Sequence, residues 1–417
     1  MTRVILFDDG KGRLAPLTDL RPSFDVRTGA LTAVERWRCI RGEAPGLVVA
    51  AHRRASVTER HPGVAVNVPV GGDDGALVVN GRCAVSPEGL EALGVGEGIR
   101  EEGSGDLVAA RLDAAAVARF VAAGGDDGGE VAIVARPALA LLSRPWHIRT
   151  FRDRSLGADL ALIVSGAPAC DAREMEFVFD AHGVIRREGS RIYPGAIIDS
   201  EGGPVVLDTD SVVRPGAVLI GPCYVGPHST VLERATIRPN TAIGPWCKVN
   251  GEVGGVIFQG YANKAHDGFL GDSWVGEWVN LGAGTTGSNL LNTYGEVISR
   301  AAPDGLHERT GETFFGAVIG DHVKTAICTR LMTGAVLHTG SMFATTAPVS
   351  GCVAPFTWAT DAGSRLFRFD KFLEVARAAM ARRKEAPSAA YTESLARLHR
   401  EAAAAYHSKD AAARAGS

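Results

Sequence analysis

The chain has 417 residues, of which 46% are hydrophobic and 51 are glycine, and its formal net charge at pH 7 is -3. A chain of this length typically forms two or three domains, and a near-neutral charge gives it no electrostatic reason to bind nucleic acid or an anionic membrane. The 7 cysteines include no Cys-x-x-Cys pair, which favours a reducing compartment. No apolar run reaches the roughly 20 residues of a membrane helix, so we expect a cytoplasmic protein.

The segment 1–145 alternates between short apolar runs and longer amphipathic stretches, which is typical of an α/β domain with a largely parallel sheet. We predict buried strands at 4–7, 47–51, 75–79 and 131–134, with crossover helices at 31–40 and 114–123. Ligands of such a sheet gather at the carboxyl ends of its strands. The loop that follows the first strand is therefore a candidate site. The mixed pattern of 146–190 predicts a helical connector.

The segment 191–360 contains the most regular pattern of the chain. An aliphatic residue returns at every sixth position: Leu207, Val213, Leu219, Val225, Val231, Ile237, Ile243 and Val249. Two places before each of the last seven lies a small residue: Ser211, Ala217, Cys223, Ser229, Ala235, Thr241 and Cys247. One six-residue unit cannot bury its own apolar face, so the repeat predicts stacked coils of a parallel β-helix.

The six-residue period breaks twice. It stops over 254–268 and resumes at Phe269, and it stops again over 288–315 and resumes at Ile319. Segments that leave a solenoid commonly carry its functional site. The final segment, 361–417, is rich in Ala, Arg, Lys and Glu, and we predict a helical tail.

The motif from Asn263 to Asp272, followed by that from Val279 to Thr285, resembles the bacterial bifunctional N-acetylglucosamine-1-phosphate uridyltransferase/glucosamine-1-phosphate acetyltransferase family. The closer likeness is to a divergent branch of sugar nucleotidyltransferase-like proteins with the same plan. The resemblance implies a Rossmann-like α/β nucleotidyltransferase domain, a left-handed parallel β-helix of hexapeptide repeats and a helical tail. It also implies a homotrimer that binds acyl-CoA between neighbouring β-helices and acts in nucleotide sugar biosynthesis.

Acetyl transfer to a sugar amine requires a base, and histidine suits that role because its ordinary pKa lies near neutral pH. The resemblance assigns the base to His266 and a partner carboxylate to Glu252. It further implies sugar contacts from Asn280 and Asn289, and a backbone contact from Ala283 to acetyl-CoA. Lys248 and Lys264 are basic and close to His266 in sequence, so either could meet a sugar phosphate.

Three positions differ from the family pattern around His266. Phe269 and Leu290 stand where the family has tyrosine, and Gly254 stands where it has lysine. These differences leave the acceptor sugar open, and the sequence does not identify the acyl group.

The segment 10–18, Gly-Lys-Gly-Arg-Leu-Ala-Pro-Leu-Thr, resembles the nucleotide-binding signature of sugar-phosphate nucleotidyltransferases. Glycines let backbone amides approach a triphosphate, and an arginine can stabilise charge on the transferred phosphoryl group. The candidate nucleotide-binding residues are Gly10, Gly12, Arg13, Arg21 and Arg27. The family's magnesium-binding aspartate is replaced by Arg82. Either Asp8 or Asp9 holds Mg²⁺ for a nucleoside triphosphate, or the uridylyl activity is lost.

Three functions remain open from the sequence. The first is an acyl-CoA-dependent N-acetyltransferase, fused to a nucleotidyltransferase-like domain, that acts on an amino-sugar phosphate or nucleotide sugar. The second is a sugar-1-phosphate nucleotidyltransferase whose β-helix only trimerises it. The third is a non-enzymatic trimeric scaffold.

Overall fold

The computed structural model describes residues 2–72, 75–166, 178–179 and 182–415, with the backbone alone for 178–179 and 409–415. Part of the predicted connector, residues 167–177 and 180–181, lies outside the described residues. The contacts divide the chain into two units. The first unit contains Met1–Leu14 and Arg21–Leu162, and the second contains Ala15–Leu20 and Ile163–Ser417. The chain therefore enters the second unit briefly before it completes the first.

The first unit is built on a six-stranded sheet with the order β2-β1-β3-β5-β4-β6. Its strands are β1 (Arg3–Phe7), β2 (Gly46–Val48), β3 (Ala76–Asn80), β4 (Glu97–Arg100), β5 (Leu107–Leu112) and β6 (Ala132–Ala135). Its helices are α1 (Ala33–Arg41), α2 (Arg54–Arg60), α3 (Ala114–Ala122) and α4 (His147–Ser165). The α/β class and the four expected strands are confirmed.

The sheet is largely parallel, as expected: five strands run in one direction, and β5 alone runs antiparallel to its neighbours β3 and β4. The strands β4 and β5 were not expected from the sequence, and the expectation for β6 is wrong. The strand β6 is not buried, since three of its four residues are exposed. It pairs with β4 alone and lies at the edge of the sheet, where one side of a strand remains open to solvent.

A buried ion pair connects α4 to α1, and a hydrogen bond connects α4 to the residue Leu31 before α1. Asp159 accepts from the Arg36 guanidinium at 2.6 Å and from the backbone amide of Leu31 at 2.9 Å, and the Asp159 side chain is 0% exposed. Charges are buried at acceptable cost when they are paired and hydrogen-bonded. The contact explains why α4, predicted as part of a connector, packs within the first unit.

The helix α1 begins with a capping box. Thr32 accepts from the backbone amide of Glu35, and the Glu35 carboxylate accepts from the backbone amide of Thr32 at 2.8 Å. We expect Thr32→Ala to lower the free energy of unfolding by about 1 kcal/mol, because two amides at the helix start lose this arrangement. Urea unfolding measures the change. Thr58→Ala is the matched control, since the Thr58 hydroxyl donates to the Arg54 carbonyl within α2; an equal loss in both variants would contradict the capping role.

The second unit is a parallel β-helix whose strands fall into three columns. The first is β7 (Val178–Phe179), β10 (Ile197–Asp199), β13 (Val218–Ile220), β16 (Thr236–Ile237), β19 (Glu252–Gly254) and β22 (Phe269–Gly271). The second is β8 (Val184–Arg186), β11 (Val205–Leu207), β14 (Cys223–Val225), β17 (Thr241–Ile243), β20 (Ile257–Phe258), β23 (Trp274–Val275), β27 (Ala317–Ile319), β30 (Ala335–Leu337) and β32 (Cys352–Val353). The third is β9 (Arg191–Ile192), β12 (Val212–Val213), β15 (Thr230–Val231), β18 (Lys248–Val249) and β21 (Asn263–Lys264). Further pairs are β24 (Thr286–Gly287) with β29 (Arg330–Leu331), and β28 (Lys324–Thr325) with β31 (Met342–Ala344).

The hexad prediction is confirmed. The eight aliphatic residues from Leu207 to Val249 are at most 1% exposed and stack in the interior of the coils. The small residues two places earlier are 0% exposed. In the third column Val213, Val231 and Val249 stack directly on one another.

The two predicted breaks have different outcomes. Residues 254–268 do not leave the β-helix, because β20 and β21 continue two of its columns. The break reflects a shortened coil: Lys248 pairs with Asn263, fifteen residues on, whereas Thr230 pairs with Lys248, eighteen residues on. The interior residue of β22 is Leu270, and the expected Phe269 is partly exposed. The second break is a true excursion, in which β25 (Ile298–Ser299) pairs antiparallel with β26 (Glu308–Arg309).

The tail begins with an antiparallel pair, β33 (Thr357–Thr360) and β34 (Gly363–Leu366), so the expectation of helix from 361 is wrong at its start. The helices α5 (Phe369–Ala381) and α6 (Ala389–Ala415) follow as predicted. They close a second apolar cluster that includes Leu20, Phe356, Phe372 and Leu395. None of the helices in the described ranges combines the length and apolarity needed to cross a bilayer.

Candidate functional site

A cavity of about 300 Å³ lies on the β-helix beside the turn that joins β21 to β22. Its lining residues are Lys248, Asn263, Ala265, His266, Asn280, Leu281, Gly282, Ala283, Arg382 and Arg383. Three residues that the resemblance singled out, His266, Asn280 and Ala283, therefore meet in one place with Lys248, which was chosen from the sequence for its charge. They come from successive coils, with Asn280 paired to Asn263 and Lys248 paired to Asn263 on the other side.

The His266 side chain is exposed on this turn. The backbone of the same turn is fixed by contacts with the interior of the β-helix. Gly268 has φ +107°, and a Cβ there would lie 2.2 Å from the carbonyl oxygen of Thr285 in the next coil. No residue with a side chain fits at that distance, which explains why the turn needs glycine at this position.

Lys264 occupies an interior position of the β-helix and does not line the cavity. It stacks on Val249 in the third column and is 2% exposed. Its Nζ donates to the carbonyl oxygens of Asn250 at 3.0 Å, His266 at 2.9 Å and Asp267 at 3.2 Å. Burial lowers the pKa of the Lys264 ammonium to about 8, against a smaller opposing effect of the Asp267 carboxylate. Lys264 therefore fixes the backbone on both sides of His266.

Two other residues singled out by the resemblance lie outside the cavity lining. The Glu252 carboxylate accepts from the Arg238 guanidinium at 2.5 Å, and its side chain is 44% exposed. The Asn289 side-chain amide donates to Asp272 at 2.7 Å. In the single chain, Glu252 therefore pairs with Arg238 and not with the His266 imidazole.

A second cavity, of about 290 Å³, adjoins the first. It is lined by Tyr261, Asn263, Trp278, Val279, Asn280, Lys324, Val375, Ala378, Ala379, Arg382 and Arg383, so the two cavities share four residues. Arg383 anchors the end of α5 there, donating to the Asn263 side-chain oxygen at 2.8 Å and to the Trp246 carbonyl at 3.3 Å. Sequence reasoning missed Arg382, Arg383 and Lys324, because no local pattern reveals which coil the tail covers.

Aromatic side chains stack along one corner of the β-helix beside these cavities. Ring centroids lie 4.3 Å apart for His228 and Trp246, 6.4 Å for Trp246 and Tyr261, 4.4 Å for Tyr261 and Trp278, and 6.5 Å for Trp278 and His322. The Nε2 atom of His322 lies 2.8 Å from the hydroxyl of Tyr391, a residue of α6. The stack therefore also contacts the tail, through His322 and Tyr391.

In the first unit, some of the predicted nucleotide-binding residues are exposed and others are buried. Gly10, Gly12 and Arg13 are exposed, and both glycines have φ in the left-handed region, +64° and +81°. Arg21 and Arg27 are 1% and 3% exposed, and Arg27 pairs with Glu35 at 3.1 Å. The structure thus leaves Arg13 available at the surface and uses Arg27 within the fold.

Arg82 lies at the centre of an ion network at the carboxyl ends of β1 and β3. Its guanidinium donates to Asp9 at 2.7 Å and to Asp106 at 2.6 Å, and Asp106 also accepts from Lys11 at 2.7 Å. Burial opposes ionisation of Asp106, but the hydrogen bonds from Lys11 and Arg82 outweigh it and keep the pKa of that carboxyl below its ordinary value. Asp8 accepts from the Ser23 hydroxyl at 2.8 Å.

These residues do not fit a magnesium site. The Asp9 carboxylate is already neutralised by the Arg82 guanidinium, and a fixed cation at that point repels a divalent ion. Within the described ranges, no group of three or more His, Cys, Asp or Glu side chains is arranged to hold a metal ion.

A cavity of about 450 Å³ opens in the first unit near the segments that follow β3 and β6. Its lining residues are Val85, Ser86, Pro87, Glu88, Ile99, Val108, Ala135, Arg136, Pro137, Leu139, Ala140, Phe151 and Arg154. None of Asp9, Lys11, Arg82 and Asp106 lines this cavity, so the first unit offers space for a small molecule outside the ion network.

The fold and the two sites define a nucleotidyltransferase-like α/β domain joined to a hexapeptide-repeat parallel β-helix with a helical tail. Residues 4–167 match the family model of the sugar nucleotidyl transferases. The chain is 37% identical over 123 residues to the bifunctional protein GlmU of Rippkaea orientalis, a match that covers 29% of this chain and 26% of that protein. It is 32% identical over 135 residues to the bifunctional sugar-1-phosphate nucleotidylyltransferase/acetyltransferase of Sulfurisphaera tokodaii, covering 32% of this chain and 33% of that protein.

Among solved structures, the chain is similar to a hexapeptide transferase family protein from Anaplasma phagocytophilum, with 14% identity and a TM-score of 0.27. That similarity covers 54% of this chain and 98% of the other. The matches with the sequence relatives confirm the resemblance to the bifunctional family indicated by the motifs. They span only about a quarter to a third of the length of those relatives.

Proposed function

We propose that the protein transfers an acyl group from a coenzyme A thioester to the amine of an amino-sugar phosphate or nucleotide sugar, in the cavity beside His266. The observation that carries the proposal is the meeting of Lys248, His266, Asn280 and Ala283 in one cavity, because the motifs single out the last three of these residues independently of the fold. A concave site with an accessible histidine and convergent polar groups suits acid–base chemistry on a small molecule.

The reaction needs one proton transfer that His266 can perform. The amine nitrogen attacks the thioester carbonyl carbon, so that an N–C bond forms and the C–S bond breaks. The amine proton passes to the His266 imidazole, and the imidazolium then gives that proton to the departing thiolate of coenzyme A, which leaves as the free thiol. Asn280 would hold the sugar and the backbone of Ala283 the acyl carrier.

Several finer points stay predictions. They are the homotrimer, acetyl-CoA as the donor, the cytoplasmic location and the role of Asn289. The role of Glu252 as partner of the imidazole also stays a prediction, and the contact of Glu252 with Arg238 argues against it in the single chain.

The experiment that tests the proposal measures release of coenzyme A thiol. Acetyl-CoA is incubated with glucosamine 1-phosphate, other amino-sugar phosphates or amino nucleotide sugars. We expect release with at least one acceptor, together with a product whose mass is increased by one acetyl group. If no amino sugar raises thiol release above the hydrolysis seen without acceptor, the proposal is wrong.

For the nucleotidyltransferase-like domain we propose ligand binding without magnesium-dependent nucleotidyl transfer, because Arg82 stands where the resemblance places the metal-binding aspartate and pairs with Asp9. We expect no pyrophosphorolysis of nucleotide sugars by the wild-type chain in Mg²⁺, measured as nucleoside triphosphate formed from pyrophosphate. Formation of triphosphate that stops when Mg²⁺ is chelated would contradict this and restore the reading in which the β-helix only trimerises an active nucleotidyltransferase.

A further inference from the structure

A cysteine, a histidine and an aspartate meet in the last coils of the β-helix. The Sγ atom of Cys352 lies 3.5 Å from Nε2 of His338, and Nδ1 of His338 lies 4.0 Å from Oδ2 of Asp19. The acyl transfer proposed at His266 uses none of these three side chains. They follow one another in the order thiol, imidazole and carboxylate.

The stacking of the coils brings the thiol and the imidazole together. His338 directly follows β30, and Cys352 begins β32 and pairs with Val336 of β30. The backbone amide of His338 donates to the carbonyl of Val353 at 3.1 Å. Backbone hydrogen bonds therefore already hold the register of the two strands, which does not depend on the contact between the thiol and the imidazole.

The carboxylate comes from the segment 15–20, which belongs to the second unit. Asp19 is 8% exposed and His338 is 4% exposed, whereas Cys352 is partly exposed. The Oδ2 atom of Asp19 has no hydrogen-bond partner among the described residues. A buried carboxylate oxygen in this state is costly, and a positive charge on the neighbouring imidazole offsets that cost. Asp19 therefore favours transfer of a proton to His338.

The imidazole is placed to receive the proton of the thiol. Burial lowers the pKa of His338, against a smaller opposing effect of the Asp19 carboxylate, so the ring is neutral at pH 7. With its proton on Nδ1, towards Asp19, the ring presents Nε2 to Cys352 as an acceptor. A nucleophile, a base and a carboxylate that orients the base are the groups that activate a weak nucleophile.

We propose that Cys352 is a nucleophilic thiol that hydroperoxides oxidise, with His338 as its base and Asp19 as a positioning residue. The reactant is small, because the imidazole and the carboxylate are buried and Cys352 lines none of the cavities described above. A hydroperoxide meets this limit, and its departing oxygen needs the proton that His338 holds.

The oxidation requires no reactant besides the peroxide. His338 takes the thiol proton, and the thiolate sulfur attacks one peroxide oxygen, so that an S–O bond forms and the O–O bond breaks. The sulfur is oxidised to a sulfenic acid and the peroxide is reduced. The departing oxygen takes the proton from the His338 imidazolium and, when the reactant is hydrogen peroxide, leaves as water.

Alkylation by iodoacetamide measures how nucleophilic each thiol is in the reduced full-length chain. Peptide mass spectrometry follows the modification of the cysteines with time at pH 7. Cys328 is the internal control, because it is exposed, whereas Cys352 is only partly exposed. Exposure alone predicts faster alkylation of Cys328. We expect Cys352 to react at least about tenfold faster than Cys328, because its base takes up the thiol proton.

Hydrogen peroxide is the probe for the oxidation itself, and dimedone traps the sulfenic acid. We expect the dimedone adduct on Cys352 before it is found on Cys328, and Cys352→Ser should abolish it. Acetyl-CoA is tested in parallel as a larger electrophile. An acetyl group on Cys352, with no sulfenic acid after peroxide treatment, would overturn the assignment to hydroperoxides.

Replacing His338 by glutamine should lower the alkylation rate of Cys352 about 10²-fold and leave that of Cys328 unchanged. Asp19→Asn should also lower the rate at Cys352, and Asp19→Glu should restore part of it, because the carboxylate is retained. A purely structural role of Asp19 predicts the reverse, since the longer glutamate fits a buried position less well than asparagine.

The melting temperature shows whether each variant is folded, since His338 and Asp19 are buried. If His338→Gln does not fold, the comparison of the two thiols in the wild-type chain decides the question alone. The proposal is overturned if Cys352 of the wild-type chain reacts no faster than Cys328. It is also overturned if a folded His338→Gln chain keeps the wild-type rate at Cys352.

Discussion

Replacing His266 by glutamine is expected to lower the rate of acyl transfer about 10²- to 10⁴-fold, because the amine then loses the group that accepts its proton during attack on the thioester. Glutamine retains hydrogen-bonding capacity but does not take up a proton near neutral pH. His266 is exposed on the turn between β21 and β22, so the substitution should leave the melting temperature within a degree or two of wild type. The rate is measured from release of coenzyme A thiol at saturating acetyl-CoA and acceptor.

His307→Gln provides the matched control for this experiment. His307 is exposed on the second excursion, outside the residues that line the two cavities, so its replacement should not change the rate. Coenzyme A binding by His266→Gln should remain near that of wild type, because the loss is in the chemical step. A His266→Gln chain that transfers acyl groups at the wild-type rate would remove the imidazole from the mechanism.

The regular part of the fold could be predicted almost completely from the sequence. A strict six-residue period leaves one arrangement in which every aliphatic side chain is inside, and Leu207 to Val249 adopt it. The shortened coil after Val249 could not be predicted, because its interior position is taken by Lys264. A lysine in an apolar column has no periodic signal; its place depends on three carbonyl groups that the folded turn presents to it.

Part of the candidate site could also be predicted, because the regular stacking of the coils determines which residues are neighbours. Residues on adjacent coils, such as His266 and Asn280, are brought together by the solenoid itself, so the motif and the period suffice to locate them. Arg382 and Arg383 directly follow α5, more than a hundred residues away along the chain, and their position depends on tertiary packing of the tail.

Within the first unit, the sequence pointed to the loop after β1 as a candidate site, but it did not predict that Asp9 of this loop pairs with Arg82. The contact of Asp9 with Arg82 joins two strand ends that lie far apart in sequence, and it decides whether the carboxylate can meet a metal ion. Residues 15–20, which include the second half of the expected nucleotide-binding signature, group with the second unit, where Leu20 packs with Phe356 and Phe372. The similarity of residues 10–18 to a nucleotide-binding signature thus did not establish where these residues lie in the fold.

Replacing Lys264 by methionine is expected to lower kcat about 10²-fold with little change in the KM of either substrate. The ammonium of Lys264 holds the carbonyls of His266 and Asp267, and without it the turn can shift the imidazole. A displacement of about 1 Å at a reacting group can cost that much in rate. Methionine suits the interior position, since the residue below it in the column is Val249, so the coil should stay folded. Arg330→Met is the control, because it removes an exposed cation that also donates to a backbone carbonyl.

The pH dependence of wild type and Lys264→Met separates this positioning role from a general loss of stability. Burial lowers the pKa of Lys264 from 10.5 to about 8. Above pH 8 the neutral amine has two N–H donors for three carbonyls, so the wild-type rate should fall while that of Lys264→Met should show no corresponding step. Between pH 8 and 10.5 the unfolded chain binds a proton that the folded chain does not, so the contribution of Lys264 to the free energy of unfolding rises with pH. Rate and stability of the wild-type chain should therefore change in opposite directions as the pH rises. A wild-type rate that stays level from pH 8 to 9 would show that Lys264 does not position His266. A Lys264→Met chain with full kcat would show the same.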